Sequence, residues 1–446
     1  MLSAPVDTAS ACARPTVRAF KLLPQPGPDW SPTAWRDYCG LSAAIAMVGL
    51  ALGMVLPLTA LRLAHAGHGS ALTGLLLAVQ ALGLMLAMPL TGRALARGLP
   101  RQVLRRASLG AALVCVALGA ATGAAGAALP LVLGLGLLLL GCLLGLVFNL
   151  VETWVNQVIP PAQRGRWLAV HCTIFTLFQL GGPLLLPFLP EGQAFGACGV
   201  LLLLAWPALR GLSAHRLTDD DVADGAAPPW WRLLLEAPAI VWSTALFALF
   251  DALVLGLLPL YARAHGLNEA AALASASVVL AGDTALEWLV GLLADRYGRV
   301  PVHVGCALTL LVAAPLLPLA IGSWLWWPLL FAIGAAAGGI YVLSLVASGQ
   351  RYSGRPLLQL TALLGATWGA ASSVGPLLTG VLMQASPVWA LPGVLLLSTT
   401  LLLAALAREQ AMTRDPARDP ARDSEGDSVA EPTPEPAPAQ VPERPR

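Results

Sequence analysis

Charge is what this sequence has least of. Only 11% of its 446 residues are Asp, Glu, Lys or Arg, and Lys21 is its single lysine. A soluble domain keeps roughly a quarter of its residues charged and about 45 to 50% apolar. Here 57% are apolar, more than a water-facing fold can conceal. A formal net charge of +2 supplies no basic field, so nucleic-acid binding is excluded. Cysteine is sparse and odd in number, seven in all with no CxxC pair. Cys115, Cys142, Cys172, Cys198 and Cys306 lie in or beside apolar runs, where a thiol packs as a small hydrophobe. Neither a disulfide framework nor a cysteine metal site is expected.

Other absences narrow the chemistry. A P-loop needs Gly-Lys-Ser or Gly-Lys-Thr, and the one lysine follows Phe20, so ATP hydrolysis by this chain is excluded. HExxH and the nucleophile elbow are both missing, and His65, His68, His171, His215, His265 and His303 scatter across loops and span ends. No enzyme activity, cofactor or metal is expected. Residues 1–39 hold Arg14, Arg18, Lys21 and Arg36 among prolines without an apolar core before a cleavage site, so no removable signal peptide is expected.

What is there is apolar length. A helix needs about 20 apolar residues to cross the hydrocarbon core, and twelve such runs follow one another with short loops between them. The first six are Leu41 to Leu61, Leu72 to Leu90, Ala107 to Ala127, Leu129 to Val155, Trp167 to Leu189 and Ala194 to Leu212. The second six are Ala237 to Ala262, Ala270 to Leu293, Val302 to Ile321, Trp324 to Ala347, Leu357 to Gln384 and Val388 to Ala407. The expectation is an all-α membrane protein with an N-terminal segment (1–39), a six-helix bundle (40–212), a central loop (213–232), a second six-helix bundle (233–408) and a Pro-rich tail (409–446). The loop carries Asp219, Asp220, Asp221 and Asp224, and the tail's composition cannot bury a core, so disorder is expected there.

Arginines sort by side. Loops on the side of the N-terminus hold Arg93, Arg97, Arg101, Arg105, Arg106, Arg164, Arg166, Arg210, Arg296, Arg299, Arg351 and Arg355 among others, against Arg62 and Arg263 on the opposite side. The positive-inside rule then places both termini in the cytoplasm of a bacterial inner-membrane protein. The halves also share landmarks in order. Leu56-Pro57-Leu58 closes the first span and Leu258-Pro259-Leu260 the seventh; Gly181-Gly182-Pro183 lies in the fifth and Gly375-Pro376 in the eleventh. Paired six-helix halves are a known way to frame a midplane site.

The segment Gly291 to Pro301, GLLADRYGRVP, resembles the loop signature of the major facilitator superfamily, with Gly291, Asp295, Arg296, Gly298 and Arg299 all matching. The first-half copy, aligned on Gly98, has Thr91 for the first glycine and Leu95 for the aspartate. The segment VETWVNQVIPPAQRGRW, beginning at Val151, is similar to a YcaD-like branch of uncharacterised bacterial permeases. The resemblance implies two pseudo-symmetric six-helix bundles and a secondary active transporter of a small organic solute working by alternating access. Its alternative is a non-transporting sensor or scaffold that has kept this fold. On such a topology the loop motif is expected to gate: Asp295 facing a helix N-terminus, Arg296 or Arg299 pairing with a carboxylate or helix C-terminus, and Glu152 pairing with Arg93 or Arg97.

Three ionisable residues fall inside spans, where a charge costs at least about 2.5 kcal/mol. Asp251 is mid-span, and Asp283 and Glu287 lie four apart on one helical face with no deep lysine or arginine to neutralise them. They are the candidates for coupling protons to solute movement. Gln80 and Asn149, with Gln179, Tyr341 and Ser344, are candidates to add hydrogen-bonding groups to a central cavity. The partners expected are a small-molecule substrate, protons and the lipid bilayer.

Overall fold

A computed structural model of the chain describes residues 30–96, 100–122, 126–160, 163–190, 192–213, 230–352 and 354–414. Twelve helical rods account for nearly all of them. The first six are α1 (Pro32–His65), α2 (Ser70–Ala96), α3 (Pro100–Thr122), α4 (Leu129–Val158), α5 (Arg164–Leu185) and α6 (Ala194–Arg210). A short helix, Trp230–Glu236, leads into the second six. These are α7 (Pro238–Gly256, resuming as Leu258–Ala264), α8 (Glu269–Tyr297), α9 (Arg299–Ala320), α10 (Trp326–Arg351), α11 (Gly354–Ala385) and α12 (Ala390–Arg414). Ten of the twelve are long and apolar enough, by length and composition, to cross a membrane; the others are the shorter α6 and the 32-residue α11. This is a multi-pass membrane protein with two pseudo-symmetric six-helix bundles.

Local chemistry sets the ends. Ser31 caps α1, its Oγ accepting from the Ala34 amide at 3.1 Å, with Pro32 at the first helical position. Trp30, Trp35, Tyr38 and Trp167 pack around this turn with ring centroids 5.2 to 5.7 Å apart, Trp35 stacked on Tyr38 and the other pairs edge-on, so α1 begins nine residues before the apolar run at Leu41. On the opposite face α1 and α7 each end before a glycine of positive φ, Gly67 at 78° and Gly266 at 94°, a backbone that a Cβ strains. Gly298, at φ 89°, turns α8 directly into α9.

The outward faces are apolar because their solvent is lipid. On α4, Leu131, Leu135 and Leu139 form a stripe at helical spacing that is more than half exposed. Burying such leucines against another helix gains little in a bilayer, so helix contacts rest on close packing at small residues. Gly83, Gly141 and Gly145 bring α2 against α4; a Cβ on Gly141 would meet the Gln80 carbonyl. Gly282, Gly334 and Gly338 do the same for α8 and α10, with Gly334 over the Val279 carbonyl.

One main core fills each bundle, with a smaller cluster around Leu233, Ile240 and Leu360 in the second half, and the two main cores interlock at the face opposite the chain termini, called distal below. Leu56 and Leu77 of the first half lie in the second core, and Leu273 of the second half lies in the first. Ser70 Oγ donates to the Gly380 carbonyl at 2.8 Å, joining α2 to α11, and Ser277 Oγ donates to the Leu180 carbonyl at 2.8 Å, joining α8 to α5. On the terminal face, Arg105 donates to the carbonyls of Leu209 and Arg210 within the first half, as suits a cation at a helix C-terminus. Within the second half Arg351 holds Glu409 at 2.7 Å, and Glu409 also accepts from the Ala239 amide at the start of α7. These contacts carry α12 on to Arg414, past the tail boundary expected at 409; residues 415–446, like 1–29 and 214–229, lie outside the described residues.

Candidate functional site

The glycine seam between α8 and α10 positions the chemistry. A side chain at Gly338 would collide with the carboxylate of Asp283, so only glycine leaves room for that acid between the two helices. Glu287 follows one turn along α8 on the same face, and Tyr341 follows Gly338 on α10. Asp283 is 4% exposed, lies within electrostatic reach of both Glu287 and Asp251, and its Oδ1 has no hydrogen-bond partner. Asp251, on α7, accepts from Nε2 of Gln179 on α5 at 3.3 Å. That bond crosses from one half to the other.

Aromatic rings back this wall. Phe247, one turn before Asp251, stacks on Tyr341 with centroids 4.7 Å apart and planes 8° apart, and Trp368 of α11 meets both edge-on at 5.7 and 5.4 Å. Across the cleft stand Glu152 of α4 and Cys172 of α5. Cys172 is exposed yet close enough to feel the charges of Glu152 and Glu287, and Tyr341 feels those of Glu152, Asp283 and Glu287. Cys172 thus lies exposed on α5, within electrostatic reach of side chains on α4 and α8.

The three intramembrane acids named from the sequence thus meet in one place. Gln179 and Tyr341 join them; Gln80 and Asn149 do not. Gln80 is buried in the α2 to α4 seam with Nε2 unpartnered, and Asn149 Nδ2 reaches Thr91 Oγ1 at 3.5 Å in the same seam. Glu152 does not meet Arg93, which is exposed; Arg97 lies outside the described residues. The rotation of α4 turns Glu152 toward α5, where His171 Nε2 stands 3.5 Å from its Oε1. His171 is fully buried rather than at a span end, with Nδ1 3.1 Å from Ser42 Oγ. His303 is likewise buried, its Nε2 3.0 Å from Ser243 Oγ.

The loop motif is placed differently from the expectation. Asp295 is exposed and makes no hydrogen bond or ion pair among the described residues, Arg296 lies over the Tyr297 ring at 5.4 Å, and Arg299 Nη1 donates to Gln350 Oε1 at 3.4 Å rather than to a carboxylate. Gly291 is half-buried and open to added bulk, whereas Gly298 is required by its φ. What the motif builds here is the α8 to α9 turn and a tether to α10. At the distal face Arg263 Nη1 lies 2.7 Å from His65 Nε2 and 3.0 Å from Glu269 Oε2, a clasp between the halves. Among the described residues no three His, Cys, Asp or Glu side chains converge as metal ligands. Sequence reasoning passed over Phe247, Trp368, Cys172 and His171, whose types at those spacings read as ordinary span residues.

Comparisons with known proteins agree on the frame. The family model described as Major Facilitator Superfamily matches residues 240–441. The uncharacterised MFS-type transporter YE1530 of Yersinia enterocolitica is 25% identical over 252 residues, 55% of this chain and 63% of that protein. The uncharacterised MFS-type transporter YfkF of Bacillus subtilis is 23% identical over 243 residues, 52% and 61% respectively. The chain therefore spans less than two thirds of the length of these curated relatives. Among solved structures, a bacterial homologue of the human lysosomal transporter Spinster, in an inward-facing and unoccupied conformation, superposes with a TM-score of 0.65 at 15% identity, over 86% of this chain and 98% of that one. The nucleoside transporter NupG superposes with a TM-score of 0.62 at 12% identity, over 86% and 100%. At such identities the likeness is one of fold.

Proposed function

We propose that the chain is a secondary transporter of the Major Facilitator Superfamily, passing a small organic solute through the cleft between its halves by alternating access; the family match over residues 240–441 and the likeness to uncharacterised MFS-type transporters support this reading. The observation that carries this reading is the Gln179 to Asp251 hydrogen bond, which ties the two halves together at the level of the buried carboxylates. A bond between two bodies is made or broken when they rock, so occupancy of the carboxylate site and the posture of the halves are linked. The distal clasp of Arg263, His65 and Glu269, with the interlocked cores behind it, is the closed gate in this reading, and exposed Cys172 lies on the open side.

Proton coupling belongs to the same proposal. Asp251, Asp283 and Glu287 sit together without a lysine or arginine to hold any of them permanently ionised, which is what a group exchanging protons requires. The arginine-rich terminal face is the cytoplasmic one and the distal face the outer one. The test is flux in proteoliposomes against a panel of organic solutes under an imposed pH gradient. Gradient-driven uptake or extrusion of one class, lost when Asp251, Asp283 or Glu287 is neutralised singly, is expected. Full retention of coupling in all three variants removes the proton assignment, and absence of flux for every solute tested removes the transporter reading.

A further inference from the structure

We propose that the cleft takes an organic cation with an aromatic or bulky apolar body; this names the substrate class of the transporter reading and rests on it. Charge comes first. Partly exposed acids come from both halves, Glu152 from the first and Asp251 and Glu287 from the second, with Asp283 buried behind them, while every arginine of the described helices lies near a helix end and the one lysine lies at position 21. An anionic solute would find acids there and, among the described residues, no arginine or lysine to pair with, the basic group that meets these acids being His171, 3.5 Å from Glu152.

Asp283 lies behind these acids. It is 4% exposed, its Oδ1 accepts nothing and packs against Gly338 in the α8 to α10 seam, and it is within electrostatic reach of Asp251 and Glu287, so it adds acidity to the site from the seam. A buried acceptor left empty forfeits its solvation, and such groups in native proteins call for a functional reason. Third, Tyr341 and Trp368 stay partly exposed beside these acids, stacked on or against Phe247. Acids set beside ring faces are the pairing that receives a weakly hydrated cation, the ring quadrupole attracting the charge and the ring surface receiving the apolar body. A sugar-like solute instead needs a dense set of amides and hydroxyls, whereas among the described residues the amide that bonds to these acids is that of Gln179. Bare metal cations are disfavoured because the carboxylates do not converge as ligands.

The experiment measures binding of radiolabelled tetraphenylphosphonium to the full-length protein in detergent, with triphenylphosphine oxide as the neutral competitor of similar shape. Saturable binding is expected, untouched by the neutral competitor, and weakened on the order of tenfold in D251N, in E287Q and in Y341A while Y341F retains it. Each variant is checked by gel filtration and melting temperature, and Y341F separates loss of a ring face from loss of the hydroxyl. Unsaturable binding, equal competition by triphenylphosphine oxide, or unchanged affinity in both acid variants overturns the cation class. A second readout keeps the two readings apart: in a variant whose other cysteines are serine, labelling of Cys172 by an impermeant maleimide is followed from each side of sealed vesicles. If Cys172 switches sides with conditions while the cation fails to bind, the transporter stands and the cation class falls. If Cys172 is reached from one side under all conditions and no solute of any charge moves, the transporter reading falls and the cation class with it.

Discussion

The two halves of this protein are packed alike and equipped differently. In the first, Gly141 and Gly145 of α4 close on α2 over Gln80 and Leu84; in the second, Gly334 and Gly338 of α10 close on α8 over Val279 and Asp283. The same seam that holds a leucine in one half holds an unpartnered carboxylate in the other. Pairs of helices in lipid are joined by close approach at small residues, a requirement blind to what else the seam carries. Packing is therefore free to stay symmetric while polar groups accumulate on one side. The acids, the aromatic rings and the intact loop motif all lie in the second half, which is also where the family match lies. The first half contributes Glu152, Cys172 and Gln179 as the facing wall.

That comparison can be broken most severely at the seams. Gly338→Leu drives a side chain into Asp283 and Gly145→Leu drives one into Ala87, so both are expected to destabilise by about 1–3 kcal/mol, read as a fall in melting temperature and in monodisperse yield. Gly291→Ala, with nothing near its added methyl, serves as the control that changes neither. Next in size is Asp283→Leu, which makes the second seam match the first. Removing a buried, unpartnered acceptor is expected to raise stability by about 1 kcal/mol while solute flux falls to background. A variant that loses stability instead shows that the acid is a packing element.

Smaller effects test the two faces of the membrane against each other. Glu269→Gln weakens the distal clasp with Arg263 and His65, a partly exposed group worth at most about 1 kcal/mol, and is expected to increase labelling of Cys172 from the distal side. Unchanged labelling assigns closure to the interlocked cores alone. Asp295→Asn on the terminal face removes an exposed charge without a partner in this posture, so no change in melting temperature is expected. If flux drops while stability holds, Asp295 acts in the opposite posture of the halves, which would sharpen the contrast between the two gates.

The sequence carried a great deal of this. Twelve spans, the paired halves and the loop motif were legible because a bilayer demands continuous apolar length and leaves turns to a few residue types such as Gly298. Asp251, Asp283 and Glu287 stood out in the sequence for the related reason that a charge inside a span is costly. Helical spacing placed Asp283 and Glu287 on one face, since that depends on a single helix.

Everything that depends on two helices at once was decided by the tertiary structure. Glu152 was expected beside an arginine of the α2 end and stands beside buried His171, because the rotation of α4 about its axis is set by packing at Gly141 and Gly145. Phe247, Tyr341 and Trp368 come from three helices and form one aromatic wall, and Gln179 finds Asp251 across the boundary between the halves. Period and composition say which residues share a face; they are silent on which face meets which, because that is fixed by close packing among all twelve helices together.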